Sequence, residues 1–471
     1  HPLSPAEELS AQIRVTDSDW LVILDAFLPK HEAMLKSSRV RRIVACSIPD
    51  FLPFLTGLAF RLTRGRKIRP VPRDARHLPW RDLLAEGVPA GDRPVSKAEA
   101  AMAPDDCAVY LHSGGTTGSP KTIMLSSANL NALAVQGPAI VGMEHPRGLK
   151  MVTILPLFHG FGLCMGLHTM MVNGITAILV PQFSPEVLAK IVAKERPNFL
   201  AGVPTLLEGM IRSPALQKAD LSCLKAVFCG GDSLPVEMKR RVDAFLASRG
   251  AGCSVREGYG LTETVTVCSV NPIGKNREGT VGLPLANLLM KVIDPGTLRE
   301  LPPGQDGEFC VSGPTVMLGY LKDPEATAVA VRTHEDGRPW VHTGDYGFMD
   351  EDGFFHFRQR IKRIIKVSGI PVFPSQVEEV LADFPGIRMA CAIGVPHPYR
   401  MSEVKAFVVL DAGVEGSEAL KASIREHCAR FLLKYAVPVE IEFRDDLPRT
   451  KVGKVDFTAL EREELARRDA G

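Results

Sequence analysis

The chain has 471 residues, 45% of them hydrophobic and 23% charged, with a formal net charge of +2. That length exceeds one ordinary domain and fits two or three, and the composition is that of a soluble globular protein. The near-neutral balance argues against a nucleic-acid binder, and ten scattered cysteines with no CxxC pair argue for reduced thiols in a cytoplasmic protein rather than a disulfide framework or a zinc site.

In chain order, FLPFLTGLAF reads as a core strand followed by the basic loop RLTRGRKIRPVPR. The same pairing of apolar and basic residues would also suit peripheral contact with an anionic membrane. From Met151 to Pro185 no Asp, Glu, Lys or Arg occurs, a stretch long enough to span a bilayer. Pro156, His159, His168, Asn173 and the glycines Gly160, Gly162, Gly166 and Gly174 interrupt it, however. It reads instead as a buried β-α-β unit: strand MVTILPLF, a helix around GLCMGLHTMM, strand ITAILVP. No transmembrane span is expected.

Helix SPEVLAKIVAKE follows, with Ser184 as N-cap and Pro185 at the first helical position. Then come strand NFLAGVP, helix PTLLEGMI and strand LKAVFCGG. The next helix carries Leu234, Met238, Val242 and Phe245 on one face and stops at Gly250. Its Lys239, Arg240 and Arg241 read as a solvated face. The alternation predicts a largely parallel α/β architecture.

After Arg358 to Ile365 the texture changes. Ser375-Gln376-Val377-Glu378 reads as a capping box opening the helix EEVLADF. Strands MACAIGV and VKAFVVLDA, helix SEALKASIREHCARFL and strand VEIEFR complete a compact domain of about 100 residues. The expected division is a large N-terminal domain over 1–362 and a small, mobile α+β domain over 363–471.

Four segments carry chemistry. In LHSGGTTGSPK, glycines and small hydroxyls let consecutive N–H groups face an anion, with Lys121 adding charge; taken alone it is equally a flexible turn. In GYGLTET, Tyr259 among glycines can stack on a flat base and Glu263 can hold a hard cation, although a strand-end turn with a solvated Glu fits as well. In HTGD, Asp345 can accept from sugar hydroxyls or close an Asx turn. LPRTKVGK ends in Lys454, which could equally lie on an exposed tail.

Together and in this order, these segments make the chain resemble the adenylate-forming superfamily of acyl- and aryl-CoA synthetases, nonribosomal peptide synthetase adenylation domains and luciferases. It is most similar to bacterial fatty-acid CoA ligases, and the likeness runs along nearly the whole chain. The resemblance implies ATP and coenzyme A as substrates, Mg²⁺ as the metal, and a carboxylic acid that passes through an acyl-adenylate. Ser113, Gly114, Gly115, Thr116, Thr117, Gly118 and Lys121 would cradle the ATP phosphates. Gly231, Asp232 and Ser233 would border the adenine, with Gly258, Tyr259 and Gly260 stacking against it. Thr262 would lie by the α-phosphate, Glu263 would hold Mg²⁺, and Asp345 and Arg360 would grip the ribose. Lys454 would reach the reacting carboxylate, Arg363 would be the hinge, and Gly369 would flank the path of the CoA arm. Lys239, Arg240 and Arg241 could alternatively meet the CoA phosphates.

There are departures. Ser113-Gly114 stands where Thr-Ser is commoner, Ser127 where His is frequent, Gln359 in place of a glycine, and Arg363 in place of a hinge aspartate.

The resemblance puts His159 at the acyl pocket and Gly160 where amino-acid-activating relatives carry an aspartate. Without that anion a buried ammonium would be unpaired. A medium- or long-chain fatty acid is the expected substrate, with an aromatic acid second and a carrier protein as the alternative acyl acceptor. The opening HPLSPAEELSAQI resembles a segment that in the family follows roughly 50–100 earlier residues, so a longer natural N-terminus is expected.

Overall fold

The computed structural model of the chain describes residues 4–85, 103–112, 121–143, 145–368, 370–397, 399–450 and 453–469. Two compact units appear, His1–Asp106 and Cys107–Gly471.

In the first unit, strands Trp20–Leu24, Arg42–Cys46 and His77–Pro79 form a parallel sheet in that order. Ile13, Leu28, Leu35, Val40 and Ile43 make its core. The segment read as a core strand is a helix, Phe54–Leu62, with Phe54 82% and Leu55 77% exposed. Pro49 opens one helical turn and Pro53 immediately precedes the next. The fixed proline φ favours helical starts, and helical bonds satisfy the backbone without a partner strand.

The largest sheet of the second unit runs Leu283–Pro284, Ser269–Val270, Val255–Tyr259, Ala226–Cys229, Phe199–Gly202, Lys150–Thr153, Thr176–Leu179. The five strands from Val255–Tyr259 onward pair in parallel, and the first two extend the sheet antiparallel. Between the parallel strands run helices that the sequence foretold. Pro185–Glu195 starts where Ser184 Oγ accepts from Val187 N at 3.2 Å. Val236–Ser248 buries Val242, Phe245 and Leu246, and the chain leaves it through Gly250 at φ +82°.

The basic cluster on that last helix is a solvated face only in part: Arg240 and Arg241 are exposed, whereas Lys239 is not. Lys239 is buried with its Nζ 2.6 Å from Asp243 Oδ2, while Arg240 pairs with Glu278 and Arg241 with Glu208. Each of the three cations has a neighbouring carboxylate.

The charge-free stretch contains a wide, π-type helix, Phe161–His168, in which Thr169 N–H reaches back five residues to Cys164 O. Such turns recur at functional sites. Among the described residues no helix is long and apolar enough to cross a membrane.

Two antiparallel sheets follow in the same unit. One joins Cys107–His112, Thr122–Ser126 and Gly319–Tyr320. The other orders Leu289–Ile293, Gly307–Ser312, Pro339–Met349 and Val331–Thr333, with Phe355–Arg360 also on Pro339–Met349. Toward the C-terminus, Met401–Leu410 lies between Ile365–Val367 and Ile387–His397, and Glu440–Phe443 joins it in parallel. This is an α/β fold with a large N-terminal part and a smaller α+β C-terminal one.

The expected capping box at Ser375 does not form. Helix Pro374–Ala382 has Phe373 at its N-cap, without a side-chain cap, and Ser375 lies inside the first turn. Its N–H meets Gln359 Oε1 at 3.0 Å and its hydroxyl donates to Arg358 O. Pro374 presets the first turn and has no N–H to cap. Glu378 is drawn elsewhere, into a part-buried ion pair with Arg363. Farther on, Lys405 is fully buried, and its Nζ lies 2.8 Å from Glu464 and 3.0 Å from Glu442. Partners of that kind are what a buried ammonium requires.

Candidate active site

The parallel strands Phe199–Gly202, Ala226–Cys229 and Val255–Tyr259 end side by side, and the selected residues gather at those carboxyl ends. Open α/β sheets bind ligands at this edge. Gly231 turns there at φ +84°, and a Cβ on it would stand 3.5 Å from Lys454 Cε and 3.8 Å from its Nζ. Lys454 therefore arches over the Gly230–Asp232 turn. Beside it, Thr205 Oγ1 donates to Gly453 O at 3.2 Å. Burial lowers the Lys454 pKa, the charge of Arg360 acts the same way, and Asp232 and Asp345 oppose them.

Asp345 is almost fully buried, and burial raises its carboxyl above the usual range against the pull of Arg360 and Tyr259. Tyr259 donates its hydroxyl to Oδ2 at 2.6 Å. Arg360 sits directly across the sheet from Asp345, with Nε 3.3 Å from Oδ1. That approach lacks hydrogen-bond geometry, so Oδ1 accepts no hydrogen bond. Buried carboxylate oxygens are normally satisfied, and this one is placed to accept from a ligand. The Tyr259 ring stacks on Phe357 at 6.1 Å and meets Phe309 edge-on at 5.6 Å. One of its faces is thus already covered.

Thr262–Thr264 is a single tight turn, followed by Val265 and Thr266 at φ +56° and +72°. Two successive β-branched residues in the left-handed region are strained, and such strain clusters at functional sites. Glu263 Oε1 accepts from Tyr320 Oη at 2.8 Å, and Lys121 Nζ lies 4.6 Å above the same ring. Carboxylate, phenol and ammonium thus line up, with Tyr320 set opposite Ile123 by the antiparallel sheet.

His159 leads into the π-type helix. Phe161 N–H donates to its Nδ1 at 3.2 Å, so the neutral ring carries its proton on Nε2. Burial, and secondarily the charge of Lys454, push its pKa down to about 4. At Gly160 a Cβ would lie 2.3 Å from Thr266 Cγ2 and 3.3 Å from Leu111 Cδ1. The position holds no side chain, and an aspartate there would require Thr266 to move.

The fold thus brings together Lys454, Asp345, Arg360, Tyr259, Gly231, Asp232, His159, Gly160 and Thr262, with Glu263 close enough to act on Asp345. Ser233 N–H donates to Asp232 Oδ1 at 3.0 Å. Gly258 and Gly260 permit close backbone approach: a Cβ would meet Ser269 O at 3.1 Å and Thr266 O at 2.3 Å respectively. Arg363 faces Glu378, Ala392 O and the Phe457 ring, and it is close enough to Asp232 to feel its charge. Ser113 to Gly118 and Gly369 lie outside the described residues. Sequence reasoning missed Tyr320, Phe357 and Phe309, which sit in no motif and reach the site only through sheet pairing.

The AMP-binding enzyme family matches residues 1–321, and the AMP-binding enzyme C-terminal domain matches residues 376–454. The chain belongs to the AMP-binding enzyme family. This AMP-binding enzyme is 35% identical over 462 residues to a long-chain-fatty-acid–CoA ligase of Bacillus subtilis (strain 168), a match covering 97% of this chain and 79% of the relative. A feruloyl-CoA synthase of Amycolatopsis is also 35% identical, over 78% of this chain and 72% of that one. In fold, this AMP-binding enzyme is similar to an anthranilate CoA ligase solved with anthranoyl-AMP, at a TM-score of 0.83 and 23% identity over 99% of this chain and 82% of that one.

Proposed function

We propose that the chain is an AMP-forming acyl-CoA synthetase acting on a medium- or long-chain fatty acid. In the first step a carboxylate oxygen attacks the α-phosphorus of ATP, the bond to the bridging oxygen breaks, and pyrophosphate leaves. In the second, the thiol of coenzyme A attacks the acyl carbon, AMP leaves, and the thiol proton passes to solvent. The observation that carries this reading is the convergence of Lys454, Arg360 and Asp345, whose Oδ1 accepts no hydrogen bond, at the carboxyl ends of the parallel strands.

The assigned roles follow from charge and reach. Asp345 accepts from the ribose hydroxyls, and the charge of Arg360 favours its ionised form. Lys454, with Lys121 and the 113–118 loop, offsets the repulsion between a carboxylate and a polyanion, a task done mainly by positioning and electrostatics. Glu263 is a half-buried carboxylate with one oxygen held by Tyr320. That donor set suits Mg²⁺, a hard cation that takes one or two carboxylates and completes its shell with phosphate oxygens and water. When bound, the ion would neutralise phosphate charge.

Division at residues 362 and 363 is supported by Arg363, whose partners Glu378, Ala392 and Phe457 all follow it in the chain. Its side chain belongs to the C-terminal part and would turn with it. Rotation of that part would withdraw Lys454 and bring Gly369 to the CoA arm for the second step. Ten free cysteines support a reducing compartment, the cytoplasm.

The relatives support a fatty acid first, and the feruloyl-CoA synthase favours an aromatic acid as the second reading. A neutral His159 and a bare Gly160 offer no anion to an α-ammonium. A panel of acids with ATP and Mg²⁺, scored for pyrophosphate release with and without CoA, tests the assignment. Long-chain acids should give the highest kcat/KM, and amino acids should fall at least about 100-fold below, matching about 3 kcal/mol for an unpaired buried polar group. A preference for aromatic acids would select the second reading. Efficient activation of an amino acid, or adenylate that no CoA discharges, would overturn the corresponding part.

Peripheral contact with an anionic bilayer is also proposed, on the exposed Phe54, Leu55 and Leu58 and the cations Arg64, Arg66 and Lys67 just beyond them. Apolar area flanked by positive charge is what such surfaces bind. The protein should co-sediment with anionic vesicles and not with neutral ones, and the double variant Phe54→Asp, Leu55→Asp should lose the interaction. Equal sedimentation of parent and variant would remove the proposal.

A further inference from the structure

We propose that Cys310, His334 and His342 form a binding site for a borderline-soft divalent cation of the zinc type, separate from the adenylation chemistry. The ligand atoms of the three side chains lie within 4.8 Å of one another. They stand on rigid backbone. Cys310 and His342 face each other in the antiparallel register of Gly307–Ser312 and Pro339–Met349. His334 follows strand Val331–Thr333, which pairs on the other side of Pro339–Met349, and its N–H is fixed to Arg338 O at 3.1 Å. One group from Gly307–Ser312, one from Pro339–Met349 and one just past Val331–Thr333 thus meet.

The donor geometry suits a metal. The two Nε2 atoms are 3.0 Å apart. Nitrogens bound tetrahedrally to one zinc at about 2.0–2.1 Å would be separated by about 3.3 Å. His342 turns its Nδ1 to Glu308 Oε2 at 3.1 Å, which aims the Nε2 lone pair toward His334 and Cys310. A carboxylate behind a ligating imidazole is the usual outer support of a histidine–metal bond. One thiolate and two imidazoles are a donor set that zinc favours.

Charge on both sides bears on the affinity. Lys291, whose Nζ sits 4.0 Å above Trp340, and Arg332 oppose a cation, while Glu308 and Asp336 favour one. Ligation releases the Cys310 thiol proton to solvent and forms the sulfur–metal bond. The proton shared between the imidazoles moves to His334 Nδ1, and nothing is oxidised or reduced.

The site also reaches the nucleotide pocket by structure. The other oxygen of Glu308 accepts from Gly344 N at 2.9 Å, one residue before Asp345. A cation that holds His342 and Glu308 would brace the backbone carrying Asp345.

The test uses the full chain stripped with a chelator and titrated with Zn²⁺ alone against a chromophoric competitor. One Zn²⁺ per chain should bind, and His334→Gln and Cys310→Ser should each weaken binding at least about 10-fold, the lower end of what even an outer-shell partner contributes. Circular dichroism checks that both variants fold. Should Cys310→Ser fail to fold, the parent charged with Co²⁺ decides: thiolate-to-cobalt charge-transfer absorption supports the site, and a spectrum without it overturns the proposal. Absence of stoichiometric binding, or equal affinity in parent and folded variants, likewise overturns it.

Discussion

Lys454→Ala should lower acyl-adenylate formation by at least about 100-fold, in line with the loss of one charge-stabilising donor, while thioester formation from supplied acyl-AMP stays within a few-fold of the parent. The reason lies in where the residue comes from. Its ammonium arches over Gly231 and feels the charges of Asp232, Asp345 and Arg360, yet it stands on the last segment of the chain. If that segment turns away after the first step, the second proceeds without it. Equal loss of both half-reactions would remove the rotation from the proposal.

A pH profile gives a second reading of the same residue. Lys454 acts in its protonated form, and burial places its pKa below the ordinary 10.5. Activity is therefore retained at lower pH and lost as pH rises through the lowered value. The alkaline limb of kcat/KM for ATP, which reports the free enzyme, should fall earlier than a solvent-exposed lysine would allow. The half-reaction from acyl-AMP should lack that limb.

Asp345→Ala should reduce kcat/KM for ATP by at least about 100-fold, because two hydrogen bonds to a charged acceptor contribute about 1.5–3 kcal/mol each. It also leaves the Tyr259 hydroxyl and the Arg360 guanidinium without their partner. The specific readout is selectivity. The parent should prefer ATP strongly over 2′,3′-dideoxy-ATP, and Asp345→Ala should treat the two nearly alike. A preference that survives the substitution would show that the ribose is held elsewhere.

Much of this was legible from the residues alone, for local reasons. Ser184-Pro185 marks a helix start because a hydroxyl followed by a free N–H three residues on is a short-range bond, and the structure makes it at 3.2 Å. The near-continuous apolar run of NFLAGVP marks a strand covered on both faces, whereas ITAILVP supplies an edge strand with Thr176 and Leu179 exposed. The chemical motifs were readable for the same reason: each packs glycine, hydroxyl and charge into a few residues.

What failed was competition between local and distant partners. Ser375 and Glu378 have capping-box spacing, but Gln359, Arg358 and Arg363 claim them first. A capping box at Ser126 and Asn129 does form, and Asn129 also donates to Pro314 and Val316 carbonyls. Lys239 has the local pattern of a solvated lysine, but packing buries it beside Asp243. The apolar Phe54 and Leu55 looked like core until the helix turned them outward.

The sequence by itself determined the element types in the parallel sheet and the family of chemistry, because hydrophobic period and motif spacing act over a few residues. Only the tertiary structure decided that Asp345 faces Arg360, that Tyr320 holds Glu263, and that Cys310, His334 and His342 meet. Those meetings are set by strand register and by which strand lies beside which. Register depends on contacts between residues tens of positions apart, and no local pattern records it.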